Sequence, residues 1–214
     1  MPAGLPVRDG IGHGAAADGG RLRAWLPGLL LVVTALAAYY PSLHGKFIFD
    51  DGPQIGEADS YGFWSIWFEP TCLYQYYPLA NTTLCLDWRW WGEWMLPYHL
   101  QNVLLHGLSA VLFWKLLRRL QVPGAWLAAA IFTLHPMMVE SVAWISERKN
   151  VLTQAFYLGA FLQYGRCVDY WREPGGTVKR SAWVLALILF VVALCSKVTA
   201  FSFPPAILLV CWWK

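Results

Sequence analysis

The chain has 214 residues, of which 57% are hydrophobic, 16% aromatic and only 14% charged, far from the mixture of a soluble globular domain. Sixteen Lys and Arg against thirteen Asp and Glu leave a net charge of +3, small and gathered beside apolar runs, which excludes nucleic acid as a partner. The fold class this predicts is an all-α membrane protein, a polytopic bundle of about five to six transmembrane helices.

Residues 1–23 are rich in Gly and Ala without an amphipathic pattern and are expected to form a disordered cytoplasmic tail. The polytopic membrane domain then occupies 24–214. Ala24–Gly45, Trp94–Trp114 and Leu120–Val139 are free of Asp, Glu, Lys and Arg, each about the length that crosses roughly 30 Å of hydrocarbon. The first is too long for a signal-peptide core and reads as an uncleaved anchor. Three shorter runs, Asn150–Gly165, Ser181–Ser196 and Val198–Trp213, complete the set with polar flanks and interfacial tryptophans. Spans are therefore expected near 25–43, 97–117, 121–140, 150–168, 181–197 and 200–213. The last run closes the sequence at "CWWK", which reads as a truncated version of something longer.

A cytoplasmic N-terminus places most basic residues inside, among them Arg21, Arg23, Lys115, Arg118, Arg119 and Arg180, as the positive-inside rule requires. The outer loop 44–93 then faces the other compartment. It begins with "KFIFDDGPQIGEADS", Lys46 to Ser60, whose adjacent Asp50 and Asp51 stand out in a chain short of charge. Its later pieces, "YGFWSIWFEP" and "YYPLANTTLCLDWRWWGEW", pair aromatics with scattered charges and are expected to lie flat as interfacial helices. Cys72 and Cys85 share this loop, either as a disulfide in an oxidising compartment or as two free buried thiols. "NTT" at Asn81 has the form of a glycosylation acceptor, a form that also arises by chance.

Polar residues inside spans are expensive and mark candidate sites. His99, Asn102 and His106 recur at i, i+3 and i+7 on one helix face. The histidines lie about 10 Å apart along the axis, too far to share one ion, so hydrogen bonding is expected there and a metal is not. In "LHPMMVESVAWISERKN", Leu134 to Asn150, Pro136 is expected to kink or end the third span. If helix continues beyond it, Glu140, Trp144, Glu147 and Arg148 share one face. Lys197, after a clean apolar run, reaches the same level as Arg148 and Lys149. Cations and carboxylates at an interface suit an anionic, lipid-borne substrate, with cations holding phosphate and a carboxylate accepting a proton from a hydroxyl.

In order, "FIFDDGPQI", "YHLQNVLLH", "LHPMMVESVAWISERKNVLTQAFYL" and "SKVTAFSFPPAILL" resemble the membrane domain of the transmembrane and tetratricopeptide-repeat-containing O-mannosyltransferases and their bacterial relatives, in the C-type glycosyltransferase superfamily. The resemblance spans roughly residues 25–213. It implies a membrane glycosyltransferase that moves a sugar, mannose in the family, from a polyprenyl-phosphate carrier to a protein Ser or Thr on the outer or lumenal face of a bacterial plasma membrane or the endoplasmic reticulum. The partners implied are the lipid-linked sugar donor, a protein acceptor and the membrane itself, with no further cofactor. By position, Asp50 or Asp51 is the catalytic carboxylate, with Asp50 the base and Asp51 orienting the sugar or binding a second donor. Arg148, Lys149 and Lys197 bind the donor phosphate, and His99, Asn102, His106, His135, Glu140 and Glu147 line the pocket. Direct displacement inverts the anomeric carbon, and no DxD triplet is present. The family's soluble repeat domain has no counterpart here, and no 34-residue repeat is visible. Two rivals use the same residues: a non-enzymatic membrane protein, as a transporter half or assembly subunit, and a same-fold transferase acting on lipid or cell-wall glycan.

Overall fold

The computed structural model describes residues 14–60, 62–71, 75–172 and 180–213. Among them every regular element is helical. The elements are α1 (Gly14–Ala38), α2 (Asp51–Ser60), α3 (Phe63–Phe68), α4 (Pro78–Trp91), α5 (Leu96–Arg119), α6 (Ala125–Leu134), α7 (Val139–Ala143), α8 (Arg148–Arg172), α9 (Arg180–Ser196) and α10 (Phe203–Trp213). Short 3₁₀ turns at Tyr40–His44, Pro136–Met138 and Val198–Ser202 join several of them. Cys72 lies outside the described residues, and with it the pairing expected for Cys85.

Local chemistry sets the boundaries. Pro97 sits in the first turn of α5, where its missing N–H costs nothing. Arg118 and Arg119 close that helix and complement the negative end of its dipole. Gly92 (φ 52°) ends α4 and Gly124 (φ 71°) precedes α6, in left-handed backbone that glycine adopts without strain. Before Pro136 the helix stops, because a residue preceding proline is pushed out of the helical region, and His135 takes ψ 128°.

Residues 14–23 are the first turns of α1: the apolar run beyond them supplies the nucleus, and extension through Ala15, Ala16 and Ala17 then adds one bond per residue ordered. One expectation is corrected. The face that was to join Glu140, Trp144, Glu147 and Arg148 does not form, because α7 ends at Ala143, Trp144 is extended, and α8 begins only at Arg148.

The long helices run in both directions. Gly28 of α1 lies against Val111 and Trp114 of α5, and Val32 against Gly107. Asn102 of α5 meets Arg148 at the start of α8, while Gly165 of α8 lies beside Arg119, so α5 and α8 are parallel. Lys197, just after α9, meets Asn150 of α8, and Leu189 meets Gly159, so those two are antiparallel. One end of the bundle therefore gathers Lys115, stacked over Trp25, with Arg118 and Arg119. The other gathers Asp51, Asp87, Glu147, Arg148, Lys149 and Lys197.

Alanines are frequent at the helix contacts: Ala35, Ala110, Ala129, Ala160, Ala186 and Ala193 are buried among larger side chains such as Leu31, Tyr98, Trp114 and Phe161, while Leu29, Leu30, Ile131, Ile188, Val191, Leu208 and Trp212 are exposed. Small residues at contacts let helix backbones approach closely, as helices associating in lipid do. By length and apolarity alone, α5 is long enough to cross a membrane by itself, and α6 with the Pro136–Ala143 segment forms a second candidate bent by 53°. At 17 and 11 residues, α9 and α10 reach about 25 Å and 16 Å, short of the hydrocarbon thickness. Trp25–Ala38 is likewise a shorter apolar helix.

At Gly107 the backbones of α1 and α5 approach closely, and an added Cβ would stand 3.3 Å from the Val32 Cα. Gly107→Leu is expected to force α1 and α5 apart and destabilise the bundle by about 1–3 kcal/mol, read as a lower Tm in detergent.

Candidate functional site

The charged end is built on two buried ties. Asp51 is wholly buried. Its Oδ2 accepts from the Ile48 backbone N–H at 3.0 Å, and its Oδ1 accepts from the Ser146 N–H at 2.9 Å and the Ser146 hydroxyl at 2.5 Å. The carboxylate thus closes its own turn and seizes the segment between α7 and α8. The second tie is Arg148, 1% exposed. Its Nη1 donates to Asp87 on α4, its Nη2 to the Tyr98 carbonyl at 3.0 Å, and its Nε to Asn102 Oδ1 at 3.0 Å. Gln101 Nε2 donates to the other Asp87 oxygen at 2.8 Å, and Asn102 Nδ2 to the Trp144 carbonyl at 3.1 Å.

Asp50 is placed differently. It is half-buried, and its Oδ1 is shielded from solvent without a hydrogen-bond partner. It follows Phe49, whose φ of 48° is rare for a bulky residue and whose ring, 86% exposed, tilts against Trp144 at 5.3 Å. Beside this turn lies an open apolar cleft of about 430 Å³ lined by Ile48, Phe49, Val139, Glu140, Ala143 and Trp144. A second hollow of about 250 Å³ shares Val139 and Ala143 and runs on to Ala38, Tyr39 and Pro41. Together they form a track from the end of α1 to the Asp turn.

The remaining cations meet around Glu147. Lys149 Nζ lies 2.7 Å from Glu147 Oε1 and 5.7 Å from the centre of the Tyr77 ring. Lys197 Nζ donates to Asn150 Oδ1 at 2.6 Å and stands 3.9 Å from Glu147 Oε2. Asn150 Nδ2 donates to Glu147 Oε2 at 2.5 Å and to Ser141 Oγ at 3.0 Å.

The residues singled out in sequence therefore fall into distinct groups. Lys149, Lys197 and Glu147 come together. Glu140 lines the apolar cleft. Arg148 and Asn102 serve each other inside the protein, and each nitrogen of the guanidinium expected to hold donor phosphate donates to a protein group. His99 is buried against Gly45, where a Cβ would come within 2.9 Å of its Nε2. His106 meets the Thr133 carbonyl at 3.1 Å between the rings of Tyr39 and Phe132. His135 is exposed and caps its own 3₁₀ turn, accepting from the Met137 N–H at 3.2 Å, outside the cleft. Among the described residues no group of three His, Cys, Asp or Glu stands close enough to hold an ion. Asn81 is buried, its amide donating to the Gln75 carbonyl at 3.1 Å, so "NTT" presents no accessible acceptor.

Sequence reasoning missed Asp87, Ser146 and Asn150. Asp87 carried a signal, as a lone acid between apolar neighbours in "LCLDWRW". Ser146 and Asn150 carried none that separates them from ordinary turn residues.

Comparison with known proteins bears out the resemblance. Protein O-mannosyl-transferase TMTC3 of Mus musculus is 28% identical over 182 residues, covering 78% of this chain and 19% of the relative. Protein O-mannosyl-transferase TMTC4 of Mus musculus is 27% identical over 199 residues, covering 79% and 27%. Protein O-mannosyl-transferase Tmtc2 of Drosophila melanogaster is 30% identical over 154 residues, covering 71% and 15%. The chain thus resembles these transferases over most of its own length while spanning only about a fifth of the first relatives. No family model and no solved structure matches.

The two aspartates should separate by stability. Asp51→Ala strands the Ser146 donors and is expected to cost about 1–3 kcal/mol, whereas Asp50→Asn stays within about 0.5 kcal/mol of wild type. Asp87→Ala, which leaves the Arg148 charge buried and unpaired, is expected to cost about 3–5 kcal/mol. Thermal melts of the three variants check the order.

Proposed function

We propose that this chain, a relative of the protein O-mannosyl-transferases, forms the membrane part of an enzyme that transfers mannose from a polyprenyl-phosphate carrier to a protein Ser or Thr hydroxyl. In this reading α1, α5, α6 with α7, α8, α9 and α10 cross the membrane, the shorter ones completing their crossings with polar ends and interfacial tryptophans. The end bearing Lys115, Arg118 and Arg119 faces the cytoplasm, and the Asp50 end faces the lumen of the endoplasmic reticulum or the outside of a bacterial plasma membrane.

The observation that carries the reading is the division of labour between the adjacent aspartates. Asp51 spends both oxygens on the fold; Asp50 keeps an oxygen without a partner, next in the chain to Phe49, which lines the apolar track. An alcohol is a weak nucleophile at neutral pH, and a carboxylate that takes its proton as the new bond forms contributes about 10²–10⁴ in rate. The acceptor oxygen bonds to the anomeric carbon as the carbon–oxygen bond to phosphate breaks, the proton passes to Asp50, and the carrier departs as its monophosphate. The configuration inverts.

Lys149 and Lys197 receive the charge that grows on the leaving phosphate. Placement supports this, because Asp50 adjoins Asp51, Glu147 adjoins Ser146, and Asp51 and Ser146 are bonded; the base and the carboxylate that gathers the two lysines are thus mounted on one cross-link. Arg148 acts from behind as a positioning residue, anchoring the start of α8. The apolar track suits the first isoprene units of the carrier.

The test is transfer of radiolabelled mannose from polyprenyl-phosphate mannose to protein, in membranes from cells expressing the whole gene. Asp50→Asn is expected to lower transfer by about 10²–10⁴ with wild-type melting temperature and membrane content. Full transfer by this variant removes Asp50 from the chemistry.

A further inference from the structure

The groups around Glu147 balance in an unusual way. Two lysine ammonium groups, on α8 and just after α9, converge on one carboxylate, so the cluster carries an excess of one positive charge while its anion position is filled. Five separate segments contribute: Tyr77 before α4, Ser141 of α7, Glu147 in the turn, Lys149 and Asn150 in the first turn of α8, and Lys197 after α9. The start of the 25-residue α8 adds its positive dipole end. This is a built anion site with a protein carboxylate in it.

Glu147 differs from the buried acids in how it is held. It lies in the turn before α8 rather than within a helix, and its side chain is 13% exposed. One oxygen is close to Lys149, but Lys197 stands at 3.9 Å, beyond hydrogen-bond length. Lys197 is held instead by the Asn150 carbonyl oxygen at 2.6 Å, and the same amide's nitrogen reaches Glu147 at 2.5 Å. Asn150 thus fixes both the cation and the anion, each through one end of a single planar group. Removing Glu147 leaves two ammonium groups and an amide N–H arranged around the vacated position.

We propose that Lys149, Lys197 and the Asn150 amide bind one tetrahedral phosphate, and that the Glu147 carboxylate is the resident anion this phosphate displaces and that returns to expel it. The inference rests on the reading of Lys149 and Lys197 as the phosphate-binding pair, and adds the regulation of that site. A phosphate monoester carries about −1.5 to −2 at neutral pH, more than the single charge of Glu147 or of a sugar phosphodiester, so the monophosphate product is the species held most tightly. Competition from Glu147 counters that hold. Asn150 is a positioning residue, keeping Lys197 in place through the exchange.

The test uses the full chain reconstituted in phosphatidylcholine nanodiscs and titrated with radiolabelled polyprenyl phosphate, and separately with inorganic phosphate. Glu147→Gln is expected to lower the Kd for polyprenyl phosphate about tenfold, and Lys197→Gln to raise it at least tenfold. Polyprenyl phosphate should raise the Tm of Glu147→Gln more than that of wild type, because it restores the lost counter-charge. If the Gln variant is not recovered folded, Glu147→Asp, which keeps the charge and shortens its reach, should show the same tightening to a smaller degree. Equal or weaker binding by the Glu147 variants, with weaker binding by Lys197→Gln, overturns the displacement while leaving the lysine site standing. Binding unchanged in every variant removes the phosphate from this cluster and overturns both. Tightening seen with inorganic phosphate as well assigns recognition to the headgroup; tightening confined to the lipid shows that the isoprenoid is needed to seat it, and both results sustain the displacement.

Discussion

The contact between the Asp51 carboxylate and Ser146 governs the acidic end of this molecule. It joins residues 95 apart in sequence and is fully shielded from water, where a charge-assisted hydrogen bond is strong and a missing partner is expensive. The Asp50 turn and the mouth of α8 both hang from it. On one side it holds the turn that presents Asp50; on the other it stops the helix after Ala143 and delivers Glu147 to Lys149 at the mouth of α8. The Arg148–Asp87 pair repeats the device one turn away, pinning α4 onto α5 and α8. Both ties use polar groups where an apolar contact is available more cheaply, and both set geometry at that cost.

Such pins matter more here than in a water-soluble bundle. With many large apolar side chains facing outward, the helices gain little from burial in a lipid surrounding, and their contacts tolerate sliding. Close approach at Gly107 holds α1 on α5, but one crossing point does not fix a register. Directional bonds at the charged end do, and they align α2, α4, α5, α8 and the turn after α9 on one another. At the basic end Lys115 and Arg118 rest on tryptophan faces, as side chains at a membrane surface do.

Much of this was readable beforehand. The span expected at 97–117 is α5, Leu96–Arg119, because a charge-free run, a proline at its head and two arginines at its foot agree with each other. The break at Pro136 followed from backbone chemistry alone. Aromatic pieces of the loop 44–93 became α3 and α4, although α4 is a partner of the bundle through Asp87 rather than a helix lying free. What resisted reading was pairing. Nothing local distinguishes Asp50 from Asp51, since their roles depend on where Ser146 arrives; nor does the sequence show that Arg148 turns inward while its neighbour Lys149 turns to Glu147. The supposed common face of Glu140 and Arg148 failed for the same reason, a distant carboxylate taking a backbone N–H that a helix would have used.

Phe49 shows how tightly these demands are coupled. Its left-handed backbone is tolerable because Asp51 grips Ile48 behind it and Ser146 beyond it, so the strain of one residue is carried by the bonds of another. A glycine there relaxes the chain and at the same stroke strips the wall that faces Trp144. Backbone comfort and cleft shape pull in opposite directions at a single position, which makes residue 49 the place where drift toward greater stability would first show itself as a looser grip on whatever occupies the track.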